Sequence, residues 1–196
     1  MNKMPILYRI GRFILGPFFK WYYNPTIIGK ENIPKEGAIL IVGNHKHLYD
    51  QCLSIISTKR FIKYMAKREY FDNKKTRWFF KAVGCISVDR SVHDGKAKGE
   101  AIETLKNGGA IGLFPEGTRN KTQEFLLPFK FGAVSMAKKI DAYLVPFGIT
   151  GDYIFRSKNL VIKYGKPFKV TDMELEEANN LLYETVKKLM EDTLEK

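Results

Sequence analysis

The chain has 196 residues, 44% of them hydrophobic, and a formal net charge of +12. That length suits one domain with a real core, and the apolar content excludes a disordered chain. The charge implies an anionic partner, whether nucleic acid, an anionic membrane or a phosphorylated substrate, and two cysteines are too few for a disulfide scaffold.

The first 24 residues stand apart. Tyr8, Phe13, Phe18, Phe19, Trp21, Tyr22 and Tyr23 lie among Arg9, Arg12 and Lys20, and no acidic residue precedes Glu31. The apolar run at 13–19 contains Gly16 and Pro17 and falls short of the ~18–20 residues that a spanning helix needs. It is followed by no small-residue cleavage site of the kind a signal peptide carries. Aromatic rings settle at the headgroup level and basic side chains seek anionic lipid. Residues 1–24 are therefore expected to form an amphipathic, membrane-anchoring helical segment, and residues 25–196 a single domain with no internal linker or repeat.

Residues 38–43 are a short apolar run bounded by turn signals, the pattern of a buried strand. It leads directly into Asn44-His45-Lys46-His47-Leu48-Tyr49-Asp50, and a helix is predicted over 50–57. His45 and Asp50 are five apart, which on one regular helix would separate them by ~140°. They meet only if His45 lies in a loop and Asp50 opens the helix. A carboxylate bonded to one imidazole nitrogen then fixes the tautomer and leaves the other nitrogen to take a proton from an acceptor hydroxyl. A neutral alcohol attacks poorly without such a base. His45-Lys46-His47 also begins a metal-ligand pattern, but such sites need further histidines. Only His93 remains, and the aspartate comes one place late for His-x-His-x-Asp. No catalytic metal is expected.

Cys52 and Cys85 have apolar surroundings and read as buried thiols, which fits a reducing compartment. A strand is predicted over 60–66, a helix over 69–82 and a strand over 83–88. That strand feeds Asp89-Arg90, a charge pair at a strand end. A second basic stretch runs from Lys59 to Lys81. Next come a helix over 94–106, closed by Asn107-Gly108-Gly109, and a strand over 110–114. This strand runs into Phe114-Pro115-Glu116-Gly117-Thr118-Arg119, where Pro and Gly demand a tight turn. Glu116 could accept bonds from substrate hydroxyls, and Gly117 lets backbone N–H groups approach an anion. Arg119 could hold a phosphate with both arms of its fork. A helix is predicted over 131–139, then strands over 142–147, breaking at Pro146, and over 160–164. The last helix starts at a capping box, Thr171-Asp-Met-Glu174, with Leu182, Val186, Leu189 and Met190 on one stripe. Short apolar strands alternating with helices indicate an α/β fold, a mainly parallel sheet flanked by helices. Ligands in such sheets bind beyond the carboxyl ends of the strands.

Four pieces, in this order and spacing, resemble the glycerolipid acyltransferase family, the lysophosphatidic acid acyltransferases and their glycerol-3-phosphate relatives. They are Asn44-His45 with Asp50 after four intervening residues, Gly84 through Asp89-Arg90, Phe114-Pro-Glu-Gly-Thr-Arg119, and Val145-Pro146. The resemblance covers residues 25–165. It implies that His45 is the base and Asp50 its orienter. It further implies that Arg90, Glu116, Gly117, Thr118 and Arg119 form the acceptor site and that Val145 and Pro146 shape the acyl side. Lys67 looks like a further phosphate ligand. The implied reaction moves a fatty acyl group from an acyl thioester, carried by CoA or acyl-carrier protein, to the sn-2 hydroxyl of lysophosphatidic acid, giving phosphatidic acid. It needs no cofactor or acyl-enzyme, and it takes place at the cytoplasmic face of the cell membrane on anionic lipid. Lys46-His47 stands where the family often has Gln-Ser, which bears on acceptor preference. Glycerol 3-phosphate or another lysophospholipid is the alternative acceptor. A basic nucleic-acid-binding domain would explain the charge but neither the His–Asp junction nor Glu116 amid arginines. No helix-turn-helix, zinc-finger or RNA-recognition signature is present, so no nucleic acid is expected.

Overall fold

A computed structural model describes residues 3–89, 92 and 94–194. In chain order the elements are α1 (Ile6–Tyr23), β1 (Thr26–Ile28), β2 (Ile39–Gly43), α2 (Asp50–Ser57), β3 (Ile62–Lys67), α3 (Glu69–Asp72) and α4 (Lys74–Ala82). There follow β4 (Ile86–Val88), α5 (Gly95–Lys106), β5 (Ala110–Leu113), α6 (Gly132–Ile140), β6 (Tyr143–Thr150), β7 (Val161–Tyr164) and α7 (Leu175–Leu194). The strands form one seven-stranded sheet in the order β1-β7-β6-β2-β5-β3-β4. Every pairing is parallel except β6 with β7. The expected mainly parallel α/β architecture is the one observed.

Both faces of the sheet are covered, which is why β2 reads as an unbroken apolar run. Its Leu40 and Val42 join a core with Ala101 and Leu105 of α5, Ala133 and Val134 of α6, and Leu182 and Val186 of α7. Its Ile39 and Ile41 join a second core with Leu53 of α2, Ile62, Tyr64 and Phe147. Gly43, at the end of β2, has no room for a side chain, since a Cβ there would meet the Phe147 carbonyl.

Several boundaries differ from the sequence reading, each for a local reason. The predicted helix over 69–82 is two helices, because Asn73 is extended and its side chain accepts from the Lys75 N–H to cap α4. Residues 83–85 are not strand. Gly84 takes a left-handed φ of 78°, and β4 begins only at Ile86. β6 runs through Pro146 without breaking. The Gly165 N–H donates to the Pro146 carbonyl, so the proline nitrogen faces the side where β7 has already ended, and no ladder bond is lost there. The capping box does not cap α7, which starts at Leu175. The Thr171 hydroxyl donates to Asp141 instead.

The carboxyl ends of β2, β3, β4, β5 and β6 all open at one edge of the sheet, because these strands are parallel. α1 packs beside α2 and α4 and turns Tyr8 inward, where its hydroxyl accepts from the Ile62 N–H at the start of β3. Gly16 of α1 packs against Ile56 of α2. The opposite stripe of α1 is apolar yet exposed: Ile6, Ile10, Phe13, Ile14, Phe18 and Trp21, with Phe13 82% open. Among the described residues no helix is long and apolar enough to cross a membrane.

Candidate active site

β2 ends at Gly43, and the chain turns through 44–49 before α2 begins at Asp50. That turn is fixed by Asp50, whose side chain is fully buried. One carboxylate oxygen, Oδ2, accepts from the backbone N–H groups of Lys46 and His47, both at 2.7 Å, and meets His45 Nδ1 at 2.7 Å. A carboxylate accepts, so Nδ1 carries the proton and Nε2 keeps its lone pair. The His45 ring stacks on Phe114 with centroids 4.0 Å apart, and 14% of the side chain remains open. An oriented imidazole with one free basic nitrogen is the result.

Two further tethers hold this turn. Asn44 bonds both the carbonyl and the N–H of Ile149 in β6. Glu116 accepts from the His45 N–H at 2.6 Å and from the Leu127 N–H at 3.1 Å. Both Glu116 oxygens therefore serve the backbone, and burial keeps the carboxyl above its ordinary range despite those two donors. Gly117 takes a φ of 71°, as the turn after β5 requires.

A cavity of about 760 Å³ opens beside the His45 ring, a size typical of a ligand site. Its walls are mostly apolar: Leu7, Leu15 and Phe19 of α1, Ile55 and Ile56 of α2, and Phe79 and Phe80 of α4. Its polar end carries His45, Lys67, Thr118, Arg119 and Lys121. Cys52 and Cys85 line it too, half-buried rather than buried, and burial pushes both thiols up to about 11.

A family model described as "Acyltransferase" matches residues 24–150, a span that includes all four sequence blocks. The chain belongs to the acyltransferase family. The 1-acyl-sn-glycerol-3-phosphate acyltransferase of Bacillus subtilis is 30% identical over 151 residues, 74% of this chain and 74% of that protein. The enzyme of the same name from Borreliella burgdorferi is 30% identical over 71% of this chain, a region that spans 56% of that protein. The crystal structure of PlsC, the lysophosphatidic acid acyltransferase of Thermotoga maritima, superposes with a TM-score of 0.73 at 25% identity. The match covers 98% of this chain and 83% of that one.

The acyltransferase brings five of the ten site residues singled out from sequence to one place. His45, Lys67, Thr118 and Arg119 share the cavity, and Asp50 stands behind His45. Glu116 faces a smaller cavity on the other side of the His45 turn. Val145 and Pro146 lie buried within β6 and line neither cavity. Arg90 and His93 lie outside the described residues. His47 stacks on Tyr153 at 4.3 Å. Sequence reasoning does not find Tyr153 or Phe114 as partners of the pair. The one lies 103 residues from Asp50, and the other looks like an ordinary strand-end aromatic.

Proposed function

We propose that this acyltransferase transfers a fatty acyl group from an acyl thioester to the sn-2 hydroxyl of lysophosphatidic acid, giving phosphatidic acid. The observation that carries this reading is the oriented His45–Asp50 pair at the polar end of an apolar cavity. His45 Nε2 takes the proton of the acceptor hydroxyl as that oxygen attacks the thioester carbonyl. The tetrahedral intermediate expels the thiolate, which recovers the proton from the imidazolium. Asp50 steadies the imidazolium and keeps the tautomer throughout. The two cavity thiols sit at about 11 and are protonated at neutral pH, which speaks for direct transfer rather than a cysteine-linked intermediate.

Lys67 and Arg119 supply positive charge at the polar end, matched to the phosphate of the acceptor, while the apolar walls take acyl chain. The exposed apolar stripe of α1, flanked by Arg9, Arg12 and Lys20, suits docking into the cytoplasmic face of an anionic bilayer. The test is an acceptor comparison. Lysophosphatidic acid, glycerol 3-phosphate and lysophosphatidylcholine are offered with a labelled acyl thioester to the native enzyme and to Arg119→Ala. The native enzyme is expected to prefer lysophosphatidic acid. Arg119→Ala is expected to raise the KM for it at least tenfold, through the lost charge-assisted contact. Equal use of lysophosphatidylcholine by both proteins would contradict the acceptor assignment.

A further inference from the structure

We propose that Tyr153 is a positioning residue for the His45–Asp50 pair, its hydroxyl fixing the Asp50 oxygen that His45 does not use. This rests on the reading of His45 as the base. The Tyr153 O–H donates to Asp50 Oδ1 at 2.7 Å, while Oδ2 takes His45 Nδ1 and the two backbone N–H groups. Without Tyr153 a fully buried carboxylate would have a bare oxygen, and more of its negative charge would bear on the imidazole.

Tyr153 is itself held from two sides. It lies between β6 and β7, and its ring stacks on His47 at 4.3 Å and packs edge-on to Tyr23 of α1 at 5.4 Å. The next residues continue the attachment. Phe155 packs on Tyr22 at 4.9 Å, and the Arg156 N–H donates to the Tyr22 carbonyl at 2.8 Å. On the other side Lys46 reaches the Gly151 carbonyl and Asp152. Lys46 and His47 are adjacent in the turn, and both contact this one segment. The 151–153 segment thus clasps the His45 turn at Lys46, His47 and Asp50, and it ties that turn to the helix with the exposed apolar stripe.

The ionisable groups around the pair are Cys52 on α2, Glu116 after β5, Tyr153 itself and the His47 and Tyr49 rings that pack on it, with Arg12, Lys67, Arg119 and Lys121 lining the same cavity as His45. The experiment compares Tyr153→Phe, Tyr153→Leu and His45→Ala with the native enzyme in steady-state transfer from pH 5 to 9. Tyr153→Phe keeps the ring and loses only the O–H. It is expected to lower kcat about tenfold at neutral pH with KM for both substrates within twofold. Stripped of one donor, the carboxylate holds the imidazolium more tightly, so the acidic limb of the profile moves to higher pH and activity returns toward native as pH rises. Tyr153→Leu is expected to show the same shift with a lower Tm. Native kcat and profile in Tyr153→Phe, or an equal loss at every pH, would overturn the proposal provided His45→Ala is inactive. Activity in His45→Ala would instead overturn the reading on which it rests.

Discussion

Glu116 holds the His45 turn with its side-chain carboxyl, which binds the backbone of that turn and not the imidazole. Its two oxygens accept from the N–H groups of His45 and Leu127, so it joins the ends of β2 and β5 to the loop that follows. Glutamine at 116 has one oxygen and one NH₂, so one of those N–H groups would face another donor. At pH 4.5–5, Glu116→Gln is expected to cost about 1–3 kcal/mol and to lower Tm by several degrees. The pH dependence follows from the raised carboxyl. The folded protein binds the proton more tightly than the unfolded chain does. The stability of the native protein relative to the glutamine variant is therefore fully present below the ordinary carboxylate value and is lost as pH rises through the raised one. Calorimetry at pH 4.5 and pH 7 checks this, and a gap that widens with pH would contradict it. The His45–Asp50 pair is legible in the sequence because both members lie within the short stretch that joins β2 to the first residue of α2. The Glu116 role is not, because its partners are backbone groups that any sequence would supply. Tyr153 is invisible for a different reason: only the return of β6 beside β2 brings it to Asp50.

Among the elements, α1 has the clearest division of labour. Tyr8, Gly16 and Phe19 face the domain, and Leu7, Leu15 and Phe19 wall the cavity, while Phe13, Phe18 and Trp21 face outward. Deleting the helix would open the cavity and confuse two effects, so charges on the outer stripe make the cleaner test. Phe13→Asp with Ile14→Asp is expected to weaken binding to anionic vesicles at least tenfold, about 1.4 kcal/mol, and to leave Tm nearly unchanged, since both side chains are exposed. Undiminished vesicle binding would count against membrane docking by this stripe. The strands and helices that periodicity finds are those with long or well-bounded patterns, such as β2, α2 and α5. β1 escapes because three residues, Thr26–Ile28, carry no period, and its pairing with β7 decides it. The break at Asn73 escapes because the aromatic spacing of 69–82 is helical on both sides of it. Residues 83–85 mislead because an apolar run resembles a strand, while the left-handed Gly84 sets where β4 can begin.

At the scale of the whole molecule, the parallel sheet makes the site. It brings the turns after β2 and β5 and the ends of β3 and β6 to one edge, and α1, α2 and α4 roof that edge with an apolar cavity of about 760 Å³. Three of the four sequence blocks lie on the neighbouring strands β6, β2 and β5, and the second lies on β4, one strand beyond β3, which is why their order and spacing carry so much information. What they do not reveal is the cavity itself. Its apolar walls come from α1, α2 and the aromatic face of α4, and in sequence α1 reads as an anchor and α4 as part of one helix with no role in the site. The central claim is that an oriented His45 at the mouth of this cavity performs acyl transfer to lysophosphatidic acid. The most direct measurement is formation of labelled phosphatidic acid from lysophosphatidic acid and a labelled acyl thioester, comparing the native enzyme with His45→Ala at matched Tm. The account predicts product from the native enzyme and a loss of at least a thousandfold in kcat/KM for His45→Ala, roughly 4 kcal/mol of transition-state stabilisation. A folded His45→Ala protein that still made phosphatidic acid at the native rate would contradict it.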